Sequence, residues 1–209
     1  MPPIPKRRNH AANRHKMQKP KTSRGLVRII AGKHRGRRIP VLVHDGLRPT
    51  GDRVKETLFN WLMAEVPQAT CLDMYAGSGG LGIEALSRGA NKVVFIEQDK
   101  TVCQQISINL TSLKETENGE LKAESALNAD LSSYKQAINI VFIDPPFGNN
   151  MVQKSIEKLL NDDLLSANAL IYIEVGHNDT YQIPTQFSLL KQIKTSQVFA
   201  CLFQYQGIS

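Results

Sequence analysis

Long apolar runs, paired cysteines and, over the first quarter of the chain, acids are what this 209-residue sequence has little of. No stretch of about 18 apolar residues occurs, which leaves no candidate for a membrane-spanning helix. The cations Lys6, Arg7 and Arg8 are not followed by the apolar segment a secretory signal requires, so a soluble, cytoplasmic protein is expected. Cys71, Cys103 and Cys201 lie far apart without paired spacing or clustered histidines. No metal site is expected, and the three read as buried thiols in a reducing compartment. Acids are scarcest at the start: residues 1–55 carry 16 Lys plus Arg against 2 Asp plus Glu, and residues 56–209 carry 10 against 17. A basic arm on an acidic body suits a polyanion gripped electrostatically while chemistry proceeds elsewhere. The plainer alternative is a solvated tail whose charge only aids solubility.

The length and the 41% hydrophobic content suit one full core with an appendage. Residues 1–23 hold almost no large apolar side chains and read as a disordered basic extension. Residues 24–66 form a second unit. Apolar groups at Leu26, Val27, Ile29 and Ile30, and again at Ile39, Val41 and Val43, flank a basic glycine turn and predict a hairpin. Val54, Leu58, Trp61 and Leu62 recur at helical spacing, with Thr50 or Asp52 as the candidate N-cap. Over residues 67–209, β-rich runs at 70–74, 92–96, 139–143 and 169–175, the first three each followed by a helix-like stretch, predict a βα repeat with a mostly parallel sheet. A weaker strand is expected near 121–123, and alternating runs at 187–194 and 197–205 predict a closing antiparallel hairpin.

Three motifs carry chemistry. Asp73 ends the first strand of the repeat and is followed by Met74, Tyr75, Ala76, Gly77, Ser78, Gly79, Gly80, Leu81 and Gly82. Glycines here let backbone approach a ligand, and the next helix offers unpaired N–H groups. Gly77, Gly79 and Gly82 satisfy the dinucleotide fingerprint, so a nicotinamide oxidoreductase is one reading. Asp73 opposes it: a carboxylate there repels a pyrophosphate and pairs with a cationic ligand such as S-adenosylmethionine. A tight turn with no ligand is the bland alternative. Glu97, directly after the second strand, is placed to accept the ribose hydroxyls of an adenosine, with Asp99 as its rival. Ser125 and Ala126, after the third strand, are where the adenine edge would be met.

The third motif is Asp144-Pro145-Pro146-Phe147 at the end of a central strand. An exocyclic amine is a weak nucleophile because its lone pair is delocalised into the ring. Asp144 and the carbonyl of Pro145 can accept both of its N–H bonds and stabilise the charge that develops on methylation. The prolines hold those acceptors rigidly, and Phe147 supplies a face for a base taken out of its stack. A proline-rich turn after a strand is the alternative. All three motifs belong at strand carboxyl ends, where ligands of open α/β sheets sit.

On Arg28-Ile29-Ile30-Ala31-Gly32-Lys33-His34-Arg35-Gly36-Arg37, on the stretch Leu47-Arg48-Pro49-Thr50-Gly51-Asp52-Arg53 with the helix after it, on the glycine loop and on the tetrad, the sequence resembles the bacterial 16S ribosomal RNA guanine-N2 methyltransferases. The likeness runs from about Arg24 to Tyr205. It implies a Rossmann-like class I fold of seven strands with a small N-terminal β-hairpin and helix that help hold RNA. It also implies S-adenosylmethionine as cofactor, Asp73, Gly77 and Gly79 in its loop, Glu97 on its ribose and residues 144–147 as the catalytic tetrad. Arg48, Thr50 and Arg53 match the segment bordering the active site; helix capping and a surface ion pair are their plainer reading. Lys33, Arg35, Arg37 and Arg38 are expected on phosphates, contacts that position RNA without reading its sequence. The expected partner is small-subunit ribosomal RNA, in a ribosomal particle, bound by a monomer. The rivals are adenine-N6 methylation in DNA, glutamine methylation in protein, the nicotinamide enzyme, and a non-catalytic RNA-binding assembly factor.

Overall fold

The computed structural model describes residues 23–43, 51–146, 150–177, 179–196 and 198–207. The described residues form two sheets. A hairpin pairs β1 (Ser23–Arg28) antiparallel to β2 (Arg38–Val43), with Val27 opposite Ile39. The second sheet has seven strands in the order β5-β4-β3-β6-β7-β9-β8. Its strands are β3 (Thr70–Asp73), β4 (Lys92–Ile96), β5 (Gly119–Lys122), β6 (Ile138–Ile143), β7 (Leu165–Val175), β8 (Phe187–Lys194) and β9 (Phe199–Tyr205). The first five are parallel, and β9 turns antiparallel between β7 and β8.

Among the described residues four α-helices cover the sheet: α1 (Asp52–Trp61), α2 (Gly80–Ser87), α3 (Lys100–Leu113) and α4 (Met151–Asn161). The strands are apolar on both sides because both faces are covered. Cys71, Val93, Phe95, Ile140 and Phe142 join α1, α2, α3 and the hairpin in one core; Leu72, Val94, Val141 and Ile143 join α4 in the other. The chain passes from β3 outward to β4 and β5, then returns to β6 on the other side of β3. In open α/β sheets such a reversal is where a crevice forms, here at the carboxyl ends of β3 and β6.

Several boundaries differ from the sequence reading. β5 is Gly119–Lys122, an edge strand of half-buried residues whose apolar signal is a single Leu121. β7 starts at Leu165, four residues early, with a register shift where Ile138 pairs Leu165 and Ile140 pairs Leu170. Asp52 is the first residue of α1 and not its cap: Gly51 caps the helix without a side-chain bond, and the acid instead favours the positive helix end. Thr50, the other expected cap, lies outside the described residues.

The hairpin is fixed to α2 through buried polar groups. Glu84 is fully buried and accepts from Ile30 N at 2.8 Å, Ala31 N at 3.0 Å and Arg88 Nε at 2.8 Å, with Lys55 Nζ 3.9 Å away. Lys55 Nζ donates to the carbonyl of Arg28 at 2.7 Å, so its cation is used in the fold. Gly32 has φ +80°, and a Cβ there would lie 1.8 Å from the Ser87 carbonyl oxygen, so the turn admits no side chain at that position.

Candidate active site

The loop after β3 is held from three directions. Ala76 N donates to the carbonyl of Ile96 at 2.9 Å, Gly77 N donates to Glu97 Oε2 at 3.0 Å, and the Tyr75 hydroxyl meets Ser155 Oγ of α4 at 2.7 Å. Gly79 caps α2, and Ser78 Oγ accepts from Gly80 N at 3.3 Å. Gly82, the third glycine of the fingerprint, is there for packing: a Cβ would lie 2.2 Å from Cε1 of the buried Phe95. Glu97 therefore stands at the end of β4 with its oxygens oriented by Gly77 and by Asp99 N at 2.8 Å. Its rival Asp99 is used as the N-cap of α3, accepting from Thr101 N at 2.7 Å and Val102 N at 3.2 Å.

Asp73 is only 2% exposed, and its Oδ2 accepts from Gly82 N at 3.0 Å. The sequence aims this acid at a ligand; the structure also uses it to join the end of β3 to the first turn of α2. Burial pushes its carboxyl up to about 7, the Gly82 hydrogen bond opposes that, and nearby Glu97 adds to it. Ser125 and Ala126 lie just past the end of β5 in a tight turn. The Ser125 carbonyl accepts from Asn128 and Ala129, and Ala126 packs with Met74 and Ile96.

Asp144 follows the last residue of β6. Asp73 pairs Phe142 in the ladder, and Met74 N donates to the Phe142 carbonyl at 3.1 Å. The tetrad therefore begins beside the glycine loop, at the same end of adjacent strands. Asp144 is half-buried, Pro145 buried and Pro146 exposed. Phe147 lies outside the described residues, as do Arg48 and Thr50.

Sequence reasoning missed Tyr172 and Glu174 on β7, both buried, with the Tyr172 hydroxyl donating to Glu174 Oε2 at 2.6 Å. The available signal was a lone acid inside the apolar run of β7. Burial raises the Glu174 carboxyl, and the Tyr172 hydrogen bond lowers it.

The basic turn is not brought to this crevice. Crossover helices run antiparallel to the strands, so the last residues of α2 and α3 lie toward the strand amino ends. The turn packs against those residues: Lys33 N donates to the Ser87 carbonyl at 2.7 Å, Lys33 Nζ is 2.8 Å from buried Glu115, and Arg37 Nη2 donates to the Ser112 carbonyl at 3.0 Å. Arg35 and Arg38 are exposed and make no ion pair among the described residues. Arg53 is placed differently. Lys55 lies near Glu84 and Phe59 against Arg88, so α1 runs alongside α2 in the same direction, with its first turn toward the crevice. Arg53 is exposed there, without the ion pair offered as its plainer reading, among the described residues.

The family described as "Conserved hypothetical protein 95" matches residues 27–204. A relative from Haemophilus influenzae named ribosomal RNA small subunit methyltransferase D is 48% identical over 90% of this chain and 98% of its own. The chain belongs to the ribosomal RNA small subunit methyltransferase D family. In keeping with that family, the solved Escherichia coli protein YhhF shares 42% identity at a TM-score of 0.78, over 88% of this chain and all of that one. A Salinibacter ruber RNA methyltransferase solved with S-adenosyl-L-homocysteine is 16% identical at a TM-score of 0.59, over 78% and 96%, and shares the fold. That fold is the class I methyltransferase fold, and the chain is a methyltransferase. No described helix is long and apolar enough to cross a membrane. All three cysteines are buried and free.

Proposed function

We propose that the protein transfers a methyl group from S-adenosylmethionine to the exocyclic N2 of a guanine in small-subunit ribosomal RNA, on a ribosomal particle. The observation that carries the reading is the juxtaposition of the Asp73–Gly82 loop and the Asp144–Pro145 turn at the carboxyl ends of paired strands β3 and β6. The donor set fits the cofactor. Glu97 offers an acceptor-only group, held by backbone N–H donors above the loop, suited to a ribose diol. Asp73 is assigned to the cofactor loop, which its bond to Gly82 N ties to α2, and Ser125 and Ala126 are assigned to border the place for the adenine. When bound, S-adenosylmethionine supplies a methyl on a sulfonium centre, an electrophile that needs no metal.

The chain's own work is placement. The Asp144 carboxylate and the Pro145 carbonyl accept the two N–H bonds of the guanine amine, which points its lone pair toward the cofactor loop. With the cofactor bound, the N–C bond would form as the methyl–sulfur bond breaks to leave the neutral thioether, and the amine would gain positive charge and then shed one proton. Asp144 stabilises that charge and passes the proton to water. Phe147, next in the chain, is assigned to stack on the base. Arg48, Thr50 and Arg53 are assigned to the RNA strand entering the crevice. Lys33, Arg35, Arg37 and Arg38 are assigned to phosphates farther along the RNA.

The test is transfer of labelled methyl into undermethylated small subunits, naked ribosomal RNA, DNA and total protein, followed by mapping of the labelled nucleotide. Label on guanine N2 of the small-subunit RNA is expected. Label on adenine N6 in DNA or on a glutamine amide would replace this reading, and NADH binding without S-adenosylhomocysteine binding would end it.

A further inference from the structure

Tyr172 and Glu174 are left over once the cofactor loop and the tetrad are assigned. In the β6–β7 ladder Phe142 pairs Tyr172 and Ile143 pairs Ile173. Continuing it one step sets Glu174 beside Asp144, about one strand spacing of 4.8 Å away. Alternation puts Phe142, Asp144, Tyr172 and Glu174 on one face, the face on which the Phe59 ring of α1 packs against Phe142 and Phe142 against Tyr172.

Glu174 is 5% exposed, and among the described residues its one hydrogen-bond partner is the Tyr172 hydroxyl. Burying an acid with a single neutral partner is costly, and the fold needs no acid at that point of an apolar strand. Tyr172 fixes Oε2 and leaves Oε1 as an acceptor on the side of the sheet where Asp144 stands. The Tyr172 hydroxyl is held well above its usual range by burial and then by both Glu174 and Asp144, so the two carboxyls act on one hydroxyl.

A guanine with its amine on Asp144 presents a second donor, N1–H, along the same edge, whereas adenine has an acceptor at N1. We infer that Glu174, oriented by Tyr172, is a specificity-determining residue that accepts the N1–H of the guanine whose N2 lies against Asp144. The assignment rests on the guanine-N2 reading above and adds the group that recognises the base. A site built around a buried acceptor rejects an analogue lacking the donor, because the acceptor is then left without a partner.

The experiment compares small subunits reconstituted with guanine or 2-aminopurine at the mapped nucleotide; the analogue keeps the amine but has a lone pair at N1 and no O6, so the change in the ratio on substituting Glu174 reads the N1 contact. The wild-type enzyme is expected to prefer guanine by about 10- to 100-fold in kcat/KM, the range of a hydrogen bond to a charged group. Glu174→Gln is expected to shrink that ratio by about tenfold, mainly by slowing reaction on guanine. Tyr172→Phe, which keeps the ring in the core, is expected to shrink it less. Binding of S-adenosylhomocysteine, measured by calorimetry, should stay within about twofold for both variants, because Glu174 is assigned to the base and not to the cofactor. An unchanged ratio with intact cofactor binding overturns the inference, as does a wild-type enzyme indifferent to the analogue. If Glu174→Gln does not fold, Tyr172→Phe and the wild-type preference decide. Label mapping elsewhere than guanine N2 removes the underlying reading, whereas guanine-N2 product with an unchanged ratio removes Glu174 alone.

Discussion

A carboxyl sealed from water titrates where its surroundings dictate, and Asp73 is such a group. Its folded value is pushed up to about 7 by burial, against an ordinary value of 3.8. Below about pH 4 both folded and unfolded chains hold the proton. Between about pH 4 and pH 7 the unfolded chain has released it while the folded chain retains it, so rising pH favours unfolding over that window and then levels off. Asp73→Asn keeps an acceptor for Gly82 N–H and removes the titration. Its urea midpoint should gain on the wild type between pH 4 and pH 7; a constant difference would show that Asp73 does not titrate in this range. Asp144 is set apart by its place on the crevice, half-exposed and followed by two prolines. On the proposed mechanism Asp144→Ala removes the acceptor assigned to the amine and should lower kcat by about 10²- to 10³-fold, as loss of one preorganised electrostatic contact does in other enzymes. Affinity for S-adenosylhomocysteine should be retained. Full complementation of a methylation-deficient strain by Asp144→Ala would instead favour the silent assembly factor.

At the scale of elements, Glu84 shows how the hairpin becomes part of the methyltransferase body. Its carboxylate takes hydrogen bonds from the backbone of Ile30 and Ala31 and from Arg88, with buried Lys55 beyond. Removing one member of a buried charged set leaves the others without partners, so Glu84→Ala should cost about 3–5 kcal/mol. Hydrogen exchange should show β1 and β2 losing protection before the seven-stranded sheet does. Uniform loss across both sheets would mean that the latch does not hold them separately. None of this was legible in the sequence, because Ile30 and Glu84 lie 54 residues apart and Glu84 reads as one more polar residue on a helix. What was legible were elements whose local signal agrees with their environment. β4 and β8 lie over the residues expected, since Lys92–Ile96 is a compact apolar run and Phe187–Lys194 an alternating one. β5 was only half seen because Gly-Glu-Leu-Lys has one apolar side chain. Toward the crevice, the positions of Asp73, Glu97 and Asp144 are legible because each stands at the end of a readable strand. Glu174 was passed over because its partner and its neighbour on β6 are set by register, which no local pattern encodes.

At the scale of the molecule, the exposed arginines of the described N-terminal residues stand in two places, as the separate roles expected for Arg53 and for the basic turn imply. Arg53 stands at the crevice end of α1, whereas Arg35 and Arg38 flank the turn docked at the far ends of α2 and α3. The eight residues of α2 put roughly 12 Å between those levels at 1.5 Å per residue, more than one nucleotide spans. A ligand touching both must be longer than a single nucleotide seated at the tetrad. The two regions should then fail differently. Arg35→Ala with Arg38→Ala removes the two proposed phosphate contacts at exposed positions and leaves the folded core untouched. The affinity for small-subunit RNA should fall, and the slope of log affinity against log salt should become shallower by about 1 to 2, one counterion or slightly less per contact. At saturating RNA kcat should be unchanged. Arg53→Ala should lower kcat as well, because on the proposed reading it positions the strand entering the crevice. Binding measured across a salt series, with single-turnover rates at saturation, separates the two. If the Arg35 and Arg38 double variant keeps the wild-type salt slope, the turn is a solvated surface and the RNA is gripped only at the crevice end.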